Sequence, residues 1–276
     1  MLVIVRGAGD LATGVIHRLY RSGFKILALE IEKPSAIRRS VVFSECIYNL
    51  EQVVEGVKAK KVNDLREIEE CWKKNEIPVA VDPVGKYIEI LKPQIVIDAI
   101  IAKKNYGTNM DMAPITIALG PGFVAGRDVN IVVETMRGHN LGRLIYDRGA
   151  LPNTGEPGDI AGITKERVIY SEKTGFFKAV KKIGDYVKRK EILGYIDETP
   201  VFATIDGLLR GIISDNYEVK PKFKIADIDP RLNQYDNCFT ISDKARSLGG
   251  AVLEGILSEL HRKGEEDGFK YFGESF

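Results

Sequence analysis

The chain has 276 residues, of which 44% are apolar and 29% are charged, a composition typical of a folded globular protein and unlike that of a disordered one. Its 40 Lys and Arg residues balance 39 Asp and Glu residues, and the formal net charge of +1 predicts no nucleic-acid or membrane partner. The length fits one large domain or two ordinary ones. Glycine, with 27 residues, exceeds its usual share of about 7%.

The first apolar run, residues 2–5, is too short for the core of a signal peptide and lacks a basic flank. No run approaches the roughly 18 uncharged apolar residues of a membrane helix. The three cysteines form no CxxC motif and are odd in number, which predicts neither a disulfide framework nor a metal site. We therefore expect a cytoplasmic protein.

The N-terminal half alternates apolar runs with stretches of helical periodicity. The runs are continuously apolar, as in strands buried on both faces, and they lie at residues 2–5, 25–31, 78–81, 94–98 and 115–119. This alternation predicts an α/β fold with a Rossmann-like, doubly wound parallel sheet. We assign residues 1–125 to a Rossmann-like nucleotide-binding domain.

The turn after the first strand carries the main functional signal. Gly7-x-Gly9-x-x-Ala12 lies between a predicted strand and a predicted helix, with Gly14 one turn later. In a dinucleotide fingerprint the glycines allow a tight turn and close phosphate approach, and an acidic residue ending the next strand, here Glu30, holds a ribose hydroxyl. The sequence does not identify the cofactor, and a dinucleotide such as NAD is one candidate. The predicted cofactor-binding residues are Gly7, Gly9, Asp10, Ala12, Gly14, Glu30 and Asp98.

Alternatives remain open at this turn. The glycines could simply shape the backbone, and Asp10 would place negative charge where a pyrophosphate would lie. Glu30 favours a free ribose 2′-hydroxyl, whereas Arg38 and Arg39 favour a 2′-phosphate or form an ordinary solvated surface. Asp98 ends a predicted strand and would either contact the ligand or cap the following turn.

The second half, residues 126–276, has short strands, an internal repeat and a C-terminal helix. Within residues 165–230, an offset of 32 residues aligns Gly175 with Gly207 and Val187 with Val219. The repeat predicts a small β-rich, barrel-sandwich-like domain that resembles biotinyl and lipoyl carrier domains. The hairpin at residues 197–200 has no lysine to modify, so we expect no carrier function. Gly264 is predicted to end the C-terminal helix.

A glycine-broken turn at residues 134–143 concentrates charge. Arg137, His139 and Arg143 are candidates for binding a phosphate or carboxylate, because a guanidinium matches the geometry of these anions. The alternative is a structural turn whose charges face solvent. No catalytic motif for hydrolysis or phosphoryl transfer is present, so no catalytic residue is assigned.

Taken together, these motifs resemble the YqeB family, accessory proteins of selenium-dependent molybdenum hydroxylases. The segments that carry the resemblance are 6–14, 38–45, 120–123, 134–143 and 152–155. The resemblance implies a maturation role, with a molybdenum hydroxylase apoenzyme as partner. It supplies no catalytic mechanism.

We therefore expect an accessory factor that binds a small nucleotide or nucleotide-bearing cofactor at the first turn. One alternative is a free-standing NAD-dependent oxidoreductase. Another is a non-catalytic scaffold that docks a partner through its β-rich region.

Overall fold

A computed structural model describes residues 1–266, and its largest feature is a nine-stranded sheet. In sheet order the strands are β3-β4-β5-β2-β1-β6-β7-β8-β9. Neighbouring strands from β4 to β8 are parallel, whereas β3 pairs antiparallel with β4, and β9 with β8. The strand bounds are β1 Leu2–Arg6, β2 Lys25–Glu30, β3 Glu51–Val54, β4 Val57–Val62, β5 Ile77–Val81, β6 Ile95–Asp98, β7 Ile115–Leu119, β8 Ile131–Val133 and β9 Leu144–Ile145.

Helices cover both faces of this sheet, which explains why its strands are apolar without alternation. Val3 and Val5 point into one core with α1 and α5, while Ile4 points into the opposite core with α3 and α4. The helices are α1 Asp10–Arg21, α2 Cys46–Asn49, α3 Leu65–Lys73, α4 Lys86–Leu91 and α5 Asp243–Glu266.

Helices α1 and α5 pack side by side and run in the same direction. A Cβ atom added at Gly14 would lie 2.4 Å from the Ala245 carbonyl oxygen. One added at Gly249 would lie 2.6 Å from the Gly14 oxygen and 3.0 Å from Arg18 Cβ, one turn further along α1. Small residues therefore let the two backbones approach, and both helix N-termini lie at the same end of the pair.

A second region consists of two four-stranded antiparallel sheets, ordered β10-β17-β15-β12 and β14-β13-β11-β16. They enclose their own apolar core, which also takes in Ile37 from the segment after β2. Three pairs of strands start 32 residues apart, at the offset of the sequence repeat. The bounds are β10 Val168–Tyr170, β11 Gly175–Ala179, β12 Tyr186–Val187, β13 Ile192–Ile196, β14 Thr199–Phe202, β15 Gly207–Ile212, β16 Glu218–Val219 and β17 Lys224–Asp229.

The predicted fold class, a Rossmann-like parallel sheet followed by a barrel-sandwich-like domain and a C-terminal helix, is wrong. The large sheet is mixed, with an antiparallel strand at each edge, and the later part of the chain returns to it. β8, β9 and α5 all follow residue 125, yet they complete this sheet and its core, so the predicted boundary falls inside the sheet. Short apolar segments carry no local signal of which distant strand they pair with, because register and partner depend on tertiary packing.

The C-terminal helix continues past Gly264, where the sequence predicts its end. A single glycine costs a helix only about 1 kcal/mol relative to alanine, which the packing of α5 on the sheet outweighs. The remaining tail, residues 267–276, lies outside the described residues. Within residues 1–266, no helix combines the length and hydrophobicity that crossing a bilayer requires.

Candidate functional site

The first turn borders a cavity of about 410 Å³, which we call the first-turn cavity. It opens where β1 ends between β2 and β6, the point at which successive connections leave the sheet in opposite directions. Ligands of open α/β sheets bind at such switch points. The lining residues come from the turn and α1, the segment after β2, the loop after β6 and the antiparallel sheets: Gly7, Gly9, Asp10, Leu11, Glu30, Ile31, Pro34, Ser35, Ala36, Ile37, Arg38, Ser44, Ala99, Ile100, Ile101, Arg210, Lys224 and Asp227.

The two glycines that line the cavity have different reasons to be glycine. Gly7 has a φ of +97°, and a Cβ there would lie 2.9 Å from the Ala99 carbonyl oxygen, so the fold itself requires glycine. Gly9 has an ordinary φ of −74°, and a Cβ there would meet nothing within 4 Å. Neither backbone conformation nor packing explains Gly9, and the space in front of it belongs to the cavity.

Ala12 and Gly14 do not line the cavity. Ala12 is buried in the core between α1 and the sheet, and Gly14 provides the close contact with α5. Their small size serves packing, which for Ala12 is the role that the fingerprint gives to this position.

Asp10 and Arg38 form an ion pair, with Arg38 Nη1 3.0 Å from Asp10 Oδ1. Arg38 is only 5% exposed, and its Nη2 donates to the carbonyl oxygens of Asn237 and Thr240. It is therefore a buried residue and not part of a solvated surface. The pairing offsets the negative charge of Asp10 beside the helix N-terminus.

Two buried polar atoms in the cavity wall have no hydrogen-bond partner among residues 1–266. They are Arg38 Nε and the hydroxyl oxygen of Ser44, a residue 1% exposed. Leaving such a group unsatisfied costs about 1–3 kcal/mol, and each case in a native protein calls for an explanation. Both atoms belong to residues that line the first-turn cavity.

Glu30 lines the cavity at the predicted strand end. Its carboxylate accepts the Ala8 N–H at 2.9 Å and the Ile31 N–H at 2.8 Å, and burial raises its pKa. Glu30 thus holds the turn in place. Its contact with a ribose stays a prediction.

Sequence reasoning missed the contribution of the antiparallel sheets. Asp227 accepts hydrogen bonds from Arg210 and from Arg167, whereas the Lys224 ammonium group makes no hydrogen bond or ion pair with residues 1–266. Burial lowers the pKa of Lys224, and Arg167 and Arg210 lower it further against the attraction of Asp227. The available signal was charged residues interrupting the otherwise apolar strands β15 and β17.

Asp98 lies outside the cavity lining. Its carboxylate accepts the Thr108 hydroxyl at 2.6 Å and the Ile100 N–H at 3.2 Å, and it faces Arg6 on the neighbouring strand. Arg6 also donates to Thr108 Oγ1 and to the carbonyl oxygens of Pro83 and Tyr106. This buried network secures the loop after β6, and the bond to Ile100 is the turn cap that was the alternative role for Asp98.

The 134–143 turn does not bring its three candidates together. Arg137 makes a two-pronged ion pair with Asp243 at 2.7 and 2.9 Å, and Arg143 donates to Asn140 within the turn. His139 is exposed. Arg137 lines a second cavity beside the first, whose wall contains neither His139 nor Arg143.

No family model matches the chain, but a curated protein is similar to it. It is 47% identical over 262 residues to YqeB of Escherichia coli (strain K12), a protein described as uncharacterized. The chain is a homologue of YqeB. The match covers 95% of the chain and 48% of YqeB, so the chain spans about half the length of this relative.

Three solved structures show a weak similarity to the chain. A succinylglutamate desuccinylase/aspartoacylase from Rhodobacter sphaeroides is 16% identical, with 83% and 85% of the two chains covered and a TM-score of 0.27. An aspartoacylase family protein from Mesorhizobium loti is 12% identical, with 84% and 85% covered and a TM-score of 0.25. The ectoine utilization protein EutE (DoeB) from Ruegeria pomeroyi is 12% identical, with 74% and 57% covered and a TM-score of 0.23. Likeness at this level carries no argument about function.

Proposed function

We propose that the first-turn cavity binds a phosphate-bearing ligand of nucleotide type. The observation that carries the proposal is the pair of buried, unpartnered polar atoms, Arg38 Nε and Ser44 Oγ, beside the open space at Gly9. A phosphate oxygen accepts hydrogen bonds from both a guanidinium N–H and a hydroxyl.

The N-terminus of α1 supports the same ligand chemistry. Its N-cap is Gly9, and no side chain caps the first turn of this 12-residue helix. The uncapped N–H groups and the helix dipole favour an anion. Without a side chain at Gly9, a phosphate can approach these N–H groups.

One cation in the cavity wall also supports an anionic ligand. Asp10 is paired with Arg38, and Asp227 is paired with Arg167 and Arg210, whereas Glu30 accepts two backbone N–H groups and has no cationic partner among residues 1–266. Lys224 forms no ion pair through its ammonium group with residues 1–266 and would gain a counterion from the ligand. A cavity of about 410 Å³ is within the roughly 300–1,000 Å³ of small-molecule sites.

We further propose that the chain acts as an accessory factor in the maturation of a selenium-dependent molybdenum hydroxylase. This part is supported by the resemblance to the YqeB family alone. The ligand would be a nucleotide or a nucleotide-bearing cofactor that the chain holds or delivers for the apoenzyme.

Ligand-dependent thermal shift tests the binding step. The panel is NAD, NADP, ATP, CTP and pterin nucleotides, and a ligand at about 100 times its Kd would stabilise the protein by about 2.7 kcal/mol. We expect Gly9→Val to fold like wild type, since an added Cβ meets no protein atom within 4 Å, and to lose at least tenfold in affinity. Its matched control is Gly250→Val on α5, where an added Cβ also meets nothing within 4 Å. No stabilisation of wild type by any member would refute nucleotide binding.

Co-expression tests the accessory role. A selenium-dependent molybdenum hydroxylase is produced with no partner, with this chain, and with its Gly9→Val variant. We expect higher selenium or molybdenum content per enzyme only with the wild-type chain. Equal metal and selenium content in all three preparations would contradict the role.

A further inference from the structure

A second cavity of about 370 Å³ adjoins the first-turn cavity. Ile101, in the loop after β6, lines both. Its φ of +60° is an outlier for a β-branched residue, so the fold holds this side chain between the two cavities in a conformation that it seldom adopts. The cavities are therefore neighbours that share Ile101 in their walls.

The wall of the second cavity is locally cationic in a protein whose net charge is only +1. It contains Lys103, Arg137 and Lys244 against one acidic residue, Glu156. Glu156 is paired with Lys165 at 2.7 Å, and Arg137 is paired with Asp243. The charges of Lys103 and Lys244 are not matched by carboxylates of residues 1–266.

Of these two lysines, Lys244 has the less satisfied ammonium group. It is half-buried, and its ammonium group makes no hydrogen bond or ion pair with any described residue. Burial and the nearby Arg137 lower its pKa, and the carboxylates of Asp10, Glu134 and Asp243 oppose this shift without cancelling it. Lys103 is better satisfied, because the Asn153 amide oxygen, oriented to suit its neighbours, lies 3.0 Å from Lys103 Nζ.

Helix geometry brings the two cavities into one electrostatic environment. Asp10 begins α1 beside the first cavity, and Lys244 lies in the first turn of α5 beside the second. Because the helices run in parallel, their partial positive ends point to the same edge of the sheet. The lysine side chains and the positive helix ends therefore favour an anion on each side of Ile101.

We propose that the second cavity holds a second anionic group of the same ligand, bound by Lys244 and Lys103. The ligand class is then a nucleotide with a further phosphate or carboxylate remote from the phosphate at the first turn, lying across Ile101. This inference rests on the proposed function of the first-turn cavity and adds that the ligand carries a second anionic group.

Arsenate, a heavy analogue of phosphate located by its anomalous scattering, tests the two positions independently of the ligand. Crystals of the wild type soaked at millimolar arsenate should hold one anion in each cavity. Lys244→Gln should lose the second anion and retain the first, and Lys103→Gln should weaken the second if Lys244→Gln fails to fold. The matched control is the exposed Lys86→Gln, which should retain both.

Matched ligand pairs test whether one molecule spans both cavities. Coenzyme A and dephospho-coenzyme A differ by one phosphate, as do NADP and NAD. In titration calorimetry we expect one pair to show at least a tenfold preference for the extra phosphate, and Lys244→Gln to abolish that preference without weakening the smaller partner.

The outcomes separate this inference from the proposed function. An anion in the first cavity alone, or nucleotide affinities that Lys244→Gln leaves unchanged, would overturn the second anionic position while the first site stands. No anion in either cavity, together with no nucleotide binding, would overturn both.

Discussion

In the sequence, the turn that borders the first-turn cavity and the 134–143 turn look alike, since both combine glycines with charged side chains. They differ in whether those groups have partners. In the 134–143 turn, Arg137 is paired with Asp243 and Arg143 with Asn140. In the first-turn cavity, Arg38 Nε and Ser44 Oγ are buried without partners. The proposed site therefore differs from the 134–143 turn by unfilled hydrogen-bonding capacity under burial and not by its local density of charge.

The largest expected effect is on the free energy of unfolding, and it concerns Asp98, whose carboxylate already has hydrogen-bond partners within the protein. Asp98→Ala leaves Arg6 buried without its carboxylate partner, and we expect the free energy of unfolding to fall by about 3–5 kcal/mol. Chemical denaturation measures this loss. Replacing both residues, as in Arg6→Met with Asp98→Ala, should cost less than Asp98→Ala alone. A single variant of wild-type stability would show that Asp98 is not the structural residue described here.

The second effect separates two glycines of the same turn. Gly14→Val forces side-chain atoms into the Ala245 backbone and should lower the free energy of unfolding by roughly 1–3 kcal/mol. Gly9→Val should leave stability unchanged, so thermal unfolding of the ligand-free proteins distinguishes packing from ligand access. Equal destabilisation by both variants would remove the argument that the space at Gly9 is kept for a ligand.

A third measurement tests the unpartnered hydroxyl. Ser44→Ala removes a buried group without a hydrogen bond, so the ligand-free protein should gain about 1 kcal/mol in stability. Affinity for the nucleotide ligand should fall about tenfold, since the variant lacks the hydroxyl that donates to the ligand. Ser214 is the matched control, because its hydroxyl is also buried and unpartnered but lies outside the first-turn cavity. Ser214→Ala should gain stability without losing affinity, and identical behaviour of the two variants would contradict a ligand contact at Ser44.

A fourth measurement uses pH. Burial lowers the pKa of Lys224 below that of the unfolded chain. The instability caused by its buried charge is therefore full below the lowered pKa, decreases as pH rises above it, and is gone above the ordinary lysine pKa. An anionic ligand requires the protonated amine, so affinity should fall about tenfold per pH unit above that pKa. Lys224→Arg should retain binding at high pH because a guanidinium stays charged. Calorimetric affinities of wild type that stay constant up to the ordinary lysine range would exclude Lys224 as a ligand group.

The smallest effect is expected in the 134–143 turn. His139→Ala and Arg143→Ala remove exposed side chains, so stability should change by no more than about 0.5 kcal/mol. Nucleotide affinity should be unchanged in the same titrations. A clear loss of affinity in either variant would break the comparison between the two regions and restore the predicted anion group.

The sequence predicted some parts of the site for sound local reasons. Gly7, Gly9, Asp10 and Glu30 fall on a strand–turn–helix unit, and all four line the cavity. Ala12 and Gly14 belong to the same motif but contact the core and α5, because they lie on a face of α1 that is turned away from the cavity. Asp98 ends the adjacent strand as predicted, yet the buried Arg6 and Thr108 occupy its carboxylate.

What the sequence by itself determined is local: the apolar runs of the central strands, the glycine turn after β1 and the repeat in the second region, since periodicity and backbone freedom act within a few residues. Tertiary structure alone decided which strands close the large sheet and why α5 packs against α1. It also decided that Lys224 lines the same cavity as Arg38, although the two residues are nearly two hundred positions apart in the chain. These depend on contacts between segments far apart in sequence, whose energies come from burial and pairing that no local pattern encodes.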